Sequence, residues 1–304
     1  MNLNPSAASG GGDSIETRTT LMLANNTRRA FTLLELLVVI AIIGILIAIA
    51  LPALQSMREA SRRTLCESKQ FTSAIAFQAY HDRWSQFPVG TIAATGPIQN
   101  EAKGDHHNWL GRLMDLMDQP TIGAEIDRSV SIYAPINEPV LALRFSGAQC
   151  PSFPMMQENF TSYAGVHHPT ETPIDANNWG VFVMNTPISK DDITDGLANT
   201  MFLSEKLLYA GDLGWLSGTR ASLRNTGGGI QTPQSPKPKF TLTTVGSIGG
   251  YHPGGINVLM GSGEVRFQTT GTDQSILEQM ADRRDAQLAL QRQPSEPLEQ
   301  PSVE

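Results

Sequence analysis

Residues 36 to 51 are 16 consecutive apolar residues or glycines, and Phe31, Leu33 and Leu34 extend that block across Glu35. A helix of about 20 mostly apolar residues crosses the hydrocarbon core of a bilayer. The core helix of a soluble domain keeps a polar stripe for water, and this segment has none. It therefore reads as a single membrane-spanning helix in contact with the lipid bilayer. A cleaved secretory signal would have a shorter apolar region and a small-residue cleavage site beyond it, and neither is evident. Arg28 and Arg29 precede the block, so the positive-inside rule puts that end in the cytoplasm and everything past Leu51 on the other side.

The acid at Glu35 is expensive in such a setting, by roughly 2.5–3.5 kcal/mol at the bilayer centre and less near an end. It implies a partner. A cut between Ala30 and Phe31 would create an α-ammonium one helical turn away, and opposite charges could then neutralise each other within one subunit or between neighbours.

The run Arg28-Arg29-Ala30-Phe31-Thr32-Leu33-Leu34-Glu35-Leu36-Leu37-Val38-Val39-Ile40 resembles the amino-terminal cleavage and methylation segment of type IV prepilins and type II secretion pseudopilins. The resemblance implies that a prepilin peptidase cuts after Ala30 and methylates Phe31. It also implies that Glu35 pairs with the amino terminus of a neighbouring pilin-like subunit during assembly. One departure is Ala30, where the family usually has glycine.

The chain carries a formal charge of −7, and the leader, with three arginines against Asp13 and Glu16, contributes none of that acidity. An acidic exported domain repels phosphate backbones, so no nucleic acid is expected as a partner. Residues 1–30 read as a disordered, cleaved leader. Translation from Met22 instead of Met1 would leave a short one.

Pro52 should kink the helix, since it removes a donor and crowds the carbonyl of Ala48. Beyond it the pattern stays helical to residue 83. Leu54, Met57, Ser61, Leu65, Ser68, Thr72, Ile75 and Ala79 recur at spacings of three or four, a stripe that can face a domain. A helix from Thr32 to about residue 80 would be roughly 75 Å long.

Residues 84–290 read as a globular head and 291–304 as a disordered tail. Residues 108–117 form a short amphipathic helix, 180–184 and 200–205 are strand-like, and 255–260 with 264–268 make a hairpin around Gly261-Ser262-Gly263. Residues 273 to about 290 read as a final helix with Ile276, Leu277 and Met280 inward. The expected class is α+β: one long membrane-spanning helix on an antiparallel sheet, pilin-like, with extra loops.

Further segments resemble a bacterial family of pilin-like envelope proteins whose carboxyl-terminal domain has no assigned biochemistry. That family is named for a His, nine residues, then Asp-Gly. The matching pieces are residues 51–63 with Cys66, Tyr80-His81-Asp82, Cys150-Pro151-Ser152, residues 161–165, residues 192–200 and Tyr251-His252-Pro253-Gly254-Gly255. Nine residues after His252 stand Ser262 and Gly263 instead of Asp-Gly, which puts any role needing that Asp in doubt.

The two cysteines, Cys66 and Cys150, fall where that family also has Cys. Outside the membrane oxidation is favoured, so a disulfide is expected, with a buried thiol pair as the alternative.

Catalysis has little support. The pairs His106-His107 and His167-His168 match no metal spacing and read as loop or surface histidines. No nucleophile elbow, zinc-protease helix or phosphate loop occurs. Asp191, Asp192 and Asp195 are weak calcium candidates, though turns and caps use the same residues; no other metal and no cofactor is expected. Glu205 beside Lys206 reads as a strand charge pair.

Two roles follow. The first is a structural subunit of the inner membrane, cleaved, methylated and assembled through its helix in a pilus or type II secretion-like system. The alternative is an anchored periplasmic or surface-exposed ligand-binding protein that does not polymerise.

Overall fold

Helix α1 (Leu33–Trp84) opens the computed structural model, which describes residues 31–153 and 159–284. The leader with Ala30, the tail from residue 291 and the last part of the expected final helix lie outside the described residues. The chain divides into two compact units, Met1–Pro52 and Ala53–Glu304.

In the first unit every described residue is exposed, as an apolar helix without a protein partner must be. Its start is a capping box. Thr32 Oγ1 accepts from the Glu35 amide at 3.2 Å, and Glu35 Oε2 accepts from the Thr32 amide at 2.9 Å and from its hydroxyl at 3.0 Å. Two orphan amides of the first turn are thereby satisfied. Helical assignment continues through Pro52.

In the second unit, α1 buries Cys66, Gln70, Ser73, Ala74, Ala76, Phe77 and Tyr80. This corrects the expected stripe, because Leu54, Met57, Leu65 and Ile75 are exposed. The buried row mixes the small Cys66, Ser73, Ala74 and Ala76 with Gln70 and the rings of Phe77 and Tyr80. Of its polar members, Gln70 donates Nε2 to the Asn257 carbonyl at 3.0 Å and Ser73 donates Oγ to the Lys69 carbonyl at 3.3 Å. Phe77 is the centre, with ring contacts to Trp109, Phe182 and Phe202 at 5.7, 5.3 and 5.7 Å.

Strands β1 (Tyr163–His168), β2 (Met201–Glu205), β3 (Leu223–Asn225), β4 (Gly255–Met260) and β5 (Val265–Thr269) form one sheet in the order β3-β1-β2-β4-β5. Pairs β1–β2, β2–β4 and β4–β5 are antiparallel, but β1–β3 is parallel. The sheet is thus mixed where an antiparallel one was expected. A parallel neighbour needs a long connection, and residues 169–222, which include β2, lie between β1 and β3. The α1 side of the sheet presents Phe202 and Leu259. The other side presents Met201, Val258 and Met260 to Leu277 and Met280 of the final helix (Gln274–Ala281). Asp273 caps that helix by accepting from the Ser275 amide at 2.8 Å, and Ile276 is only half-buried.

The expected helix near residue 108 is present as α2 (Trp109–Leu113), with Asn108 Oδ1 capping the Gly111 amide at 3.0 Å. Two short helices follow, α3 (Pro120–Glu125) and α4 (Glu138–Ala142), so the helix of Gln274–Ala281 is α5. Residues 180–184 form no strand. Val181, Phe182 and Val183 are nevertheless buried, and the Gly180 amide donates to the His167 carbonyl at 2.8 Å. The apolar alternation there reflects burial against β1 without a regular ladder.

Candidate functional site

Glu59 and Cys66 are seven residues apart on α1, hence on one face. Both meet the turn that carries His252, just before β4. His252 is buried, and its Nδ1 donates to Glu59 Oε1 at 2.5 Å. Its Nε2 lies 3.1 Å from Glu205 Oε1 at the end of β2 and 3.3 Å from Cys150 Sγ. Cys150 is bonded to Cys66, with their Cα atoms 5.3 Å apart.

The surrounding groups hold the two acids. Glu59 accepts from Ser152 Oγ at 3.1 Å and from Arg62 Nε at 2.8 Å. Glu205 accepts from the Asn257 amide at 3.2 Å. Burial alone would lower the imidazole pKa, but the hydrogen bonds and charges of Glu205 and Glu59 outweigh it and raise the pKa above its ordinary value. Burial likewise pushes the Glu59 carboxyl up, and His252, Arg62 and Ser152 reverse that, leaving its pKa lowered. The cluster thus sets one imidazole between two acid side chains, packed on a disulfide.

The glycines after His252 have separate reasons. Gly254 has φ +81°, a left-handed backbone that a side chain rarely adopts. A Cβ on Gly255 would collide with the Gln268 carbonyl of β5. Ser262 and Gly263 form the β4–β5 turn, Gly263 with φ +91°, and the Ser262 amide donates to the Leu197 carbonyl at 2.9 Å. The turn keeps its backbone role with Ser at position 262.

Glu205 and Lys206 do not pair with each other, contrary to the reading from their adjacency. Neighbours at a strand end face opposite sides. Lys206 instead reaches Asp212 Oδ2 at 3.2 Å, joined there by Arg224 Nη2 at 3.1 Å, while Arg220 Nε meets Oδ1 at 3.1 Å. All four side chains are buried. Arg220 also lies over Phe240 at 4.1 Å and Arg224 over Tyr209 at 5.2 Å. Burial lowers the Lys206 pKa to about 8, with Asp212 opposing the shift.

His106 and His107 lie in a loop, as one arm of the expectation had it, but none of the four is at the surface, for both pairs are buried. His167 and His168 lie on β1, an interior strand covered on both faces, and His106 Nδ1 is 3.1 Å from Tyr133 Oη. Of the aspartates, Asp192 accepts from the Ser189 amide and hydroxyl at 2.8 and 2.7 Å, closing a turn. Asp191 is exposed and Asp195 is buried.

Sequence reasoning did not find Glu59, Asp212 or the capping role of Thr32. Only the last had a local signal, the Thr-x-x-Glu pattern. Glu59 reaches Ser152 and His252 across 93 and 193 residues, besides Arg62 three positions on, and the cations around Asp212 lie up to 12 positions away.

Comparison with known proteins matches residues 25–51 to the prokaryotic N-terminal methylation motif and residues 55–275 to a family described as protein of unknown function, DUF1559. The type IV major pilin protein PilE1 of Neisseria gonorrhoeae is 33% identical over 82 residues, covering 26% of this chain and 50% of the pilin. A fimbrial protein of Neisseria meningitidis serogroup B is 34% identical over 85 residues, covering 27% of this chain and 48% of its own. A second, from serogroup A, is 38% identical over 85 residues with the same coverage. The chain spans about half the length of these curated relatives. No solved structure matches. The carboxyl-terminal match extends over most of the chain and follows a methylation segment shared with pilins. This is a type IV pilin-like protein, and it belongs to the DUF1559 family.

Proposed function

We propose that the chain is a structural, non-catalytic subunit that a prepilin peptidase cuts before Phe31 and methylates there. It then stays in the inner membrane through residues 31–52, with the amino terminus cytoplasmic and the head outside. Copies, or copies and other pilin-like subunits, assemble through the apolar helix in a pilus or type II secretion-like system. The observation that supports this most is that the methylation motif, residues 25–51, runs into the part of α1, residues 33–51, whose apolar residues are all exposed and whose one acid, Glu35, is the fifth residue after the cut.

The capping box sharpens the proposal. Glu35 Oε2 is held by Thr32, so the carboxylate is fixed at the helix start, where a neighbour's new ammonium could meet it. Mass analysis of the native polypeptide is expected to show N-methyl-Phe at position 31, and residues still attached ahead of it would reject the processing. Glu35→Ala should abolish assembly while membrane insertion persists.

A second reading, an anchored ligand-binding head that does not polymerise, draws on a different fact. The pilin relatives match only about a quarter of this chain, and the head belongs to another family. Normal membrane insertion and no loss of function in Glu35→Ala would favour it.

A further inference from the structure

Cys66, Cys150, Glu205 and His252 each bring one ligand-type atom to a common point, all four within 4.8 Å of one another and all four residues buried. We propose that this cluster is a redox-gated metal site: reduction of the Cys66–Cys150 disulfide frees two thiolates that, with the His252 imidazole and the Glu205 carboxylate, form a four-ligand centre for a thiophilic divalent cation such as Zn2+.

The geometry fits a tetrahedral ion. Zinc bonds of about 2.0–2.3 Å imply ligand-to-ligand edges of roughly 3.3–3.8 Å. The distances from His252 Nε2 to Cys150 Sγ and to Glu205 Oε1 are 3.3 and 3.1 Å. Opening the sulfur–sulfur bond lets the two sulfurs part to the remaining edge.

The outer groups fit as well. A ligating histidine almost always donates its other ring N–H to a carboxylate or carbonyl, which fixes its tautomer. His252 Nδ1 already donates to Glu59 Oε1, and Ser152 and Arg62 hold that carboxylate. Asn257 donates to Glu205 from its amide at 3.2 Å and from Nδ2 at 3.4 Å. No zinc spacing is visible along the chain because the ligands come from four separate segments: α1, the Cys150 turn, the end of β2 and the turn before β4.

The chemistry balances. A dithiol reductant supplies two electrons and two protons, leaves as its own disulfide and yields two cysteine thiols. The cation then displaces those two thiol protons and the Nε2 proton, which pass to solvent. Disulfide and metal are therefore alternative cross-links of the same four segments. The metal form would hold the head together wherever thiols stay reduced.

The test uses the full chain in detergent, reduced with a phosphine, which becomes its oxide with water as oxygen source, then desalted without air. Co2+ serves as the optical stand-in for Zn2+. The reduced protein should take one Co2+ with tetrahedral visible bands and thiolate charge transfer, and Zn2+ should displace it. The oxidised protein and the Cys66→Ser/Cys150→Ser double variant should show neither feature.

His252→Gln should weaken Zn2+ binding more than about a hundredfold, and Glu59→Gln by about 10–100-fold. The site is rejected if reduced protein gives no such spectrum, if oxidised protein gives the same one, or if His252→Gln leaves affinity unchanged. Should reduction unfold the head, regain of the native circular dichroism with one equivalent of Zn2+ supports the site, and failure to regain it overturns it.

Discussion

His252 Nδ1 and Glu59 Oε1 meet at 2.5 Å across 193 residues of sequence. The bond joins α1 to the turn ahead of β4, and on the opposite side of the ring Glu205 completes the pairing. Glu205 is buried and Glu59 only partly so, which makes the two halves of the arrangement unequal.

His252→Ala leaves the buried Glu205 side chain without its imidazole partner and is expected to cost about 3–5 kcal/mol. Glu59→Ala opens a pair that water already reaches and should cost about 1 kcal/mol. Urea unfolding of the oxidised chain measures both. Equal losses would mean that Glu205 does not depend on the imidazole.

Asp212 is the single carboxylate that Lys206, Arg220 and Arg224 share, and it is buried with them. Asp212→Asn keeps the volume but leaves three buried cations facing each other, an expected loss of about 3–5 kcal/mol. Lys206→Met should cost under about 1.5 kcal/mol, because burial already disfavours that ammonium and two guanidiniums remain for the acid. The same unfolding measurement ranks the two, and the reverse order would refute this account.

Burial holds the His167 imidazole neutral and pushes its pKa down to about 3, against the hydrogen bond that Nδ1 donates to Asn178 Oδ1, which opposes the shift. Unfolded, the ring titrates near about 6.5. The proton therefore prefers the unfolded chain. Stability from this group is full above the unfolded value, declines as pH falls through it toward about 3, and loses nothing more below. The decline is on the order of 4 kcal/mol over that window. His167→Gln should flatten the pH dependence relative to the native chain; parallel profiles would show that His167 is not responsible.

Gly254 and Gly255 separate two kinds of glycine requirement. Gly254→Ala meets no atom within 4 Å but must hold φ +81°, for an expected cost of about 1 kcal/mol. Gly255→Ala drives a methyl into the Gln268 carbonyl and must spread β4 from β5, so its loss should be larger, about 2–4 kcal/mol. A thermal midpoint lower for Gly255→Ala than for Gly254→Ala checks this.

The local patterns that proved legible share one property: the signal and the structure it specifies lie within a few residues of each other. The apolar run at 36–51 is helical and long enough to cross a bilayer. Helices start near residue 108 and at residue 274, where the pattern put them, and the hairpin at Gly263 needs its glycine. Helix periodicity also showed that residues 53–84 are helical, yet it picked the wrong face, because large exposed residues such as Met57 and Ile75 outweighed the small buried ones.

By itself, then, the sequence determined an apolar helix of bilayer-spanning length with an acid at its start, an α+β head and two cysteines outside the apolar run. Tertiary structure decided the rest: the parallel return of β3, the burial of both histidine pairs, the partners of Glu205 and Lys206, and the convergence of Glu59, Cys66, Cys150 and His252. Those outcomes depend on which distant segments the sheet and α1 bring within a few ångströms. No spacing along the chain encodes that proximity, and charge and burial acquire their chemistry only once it exists.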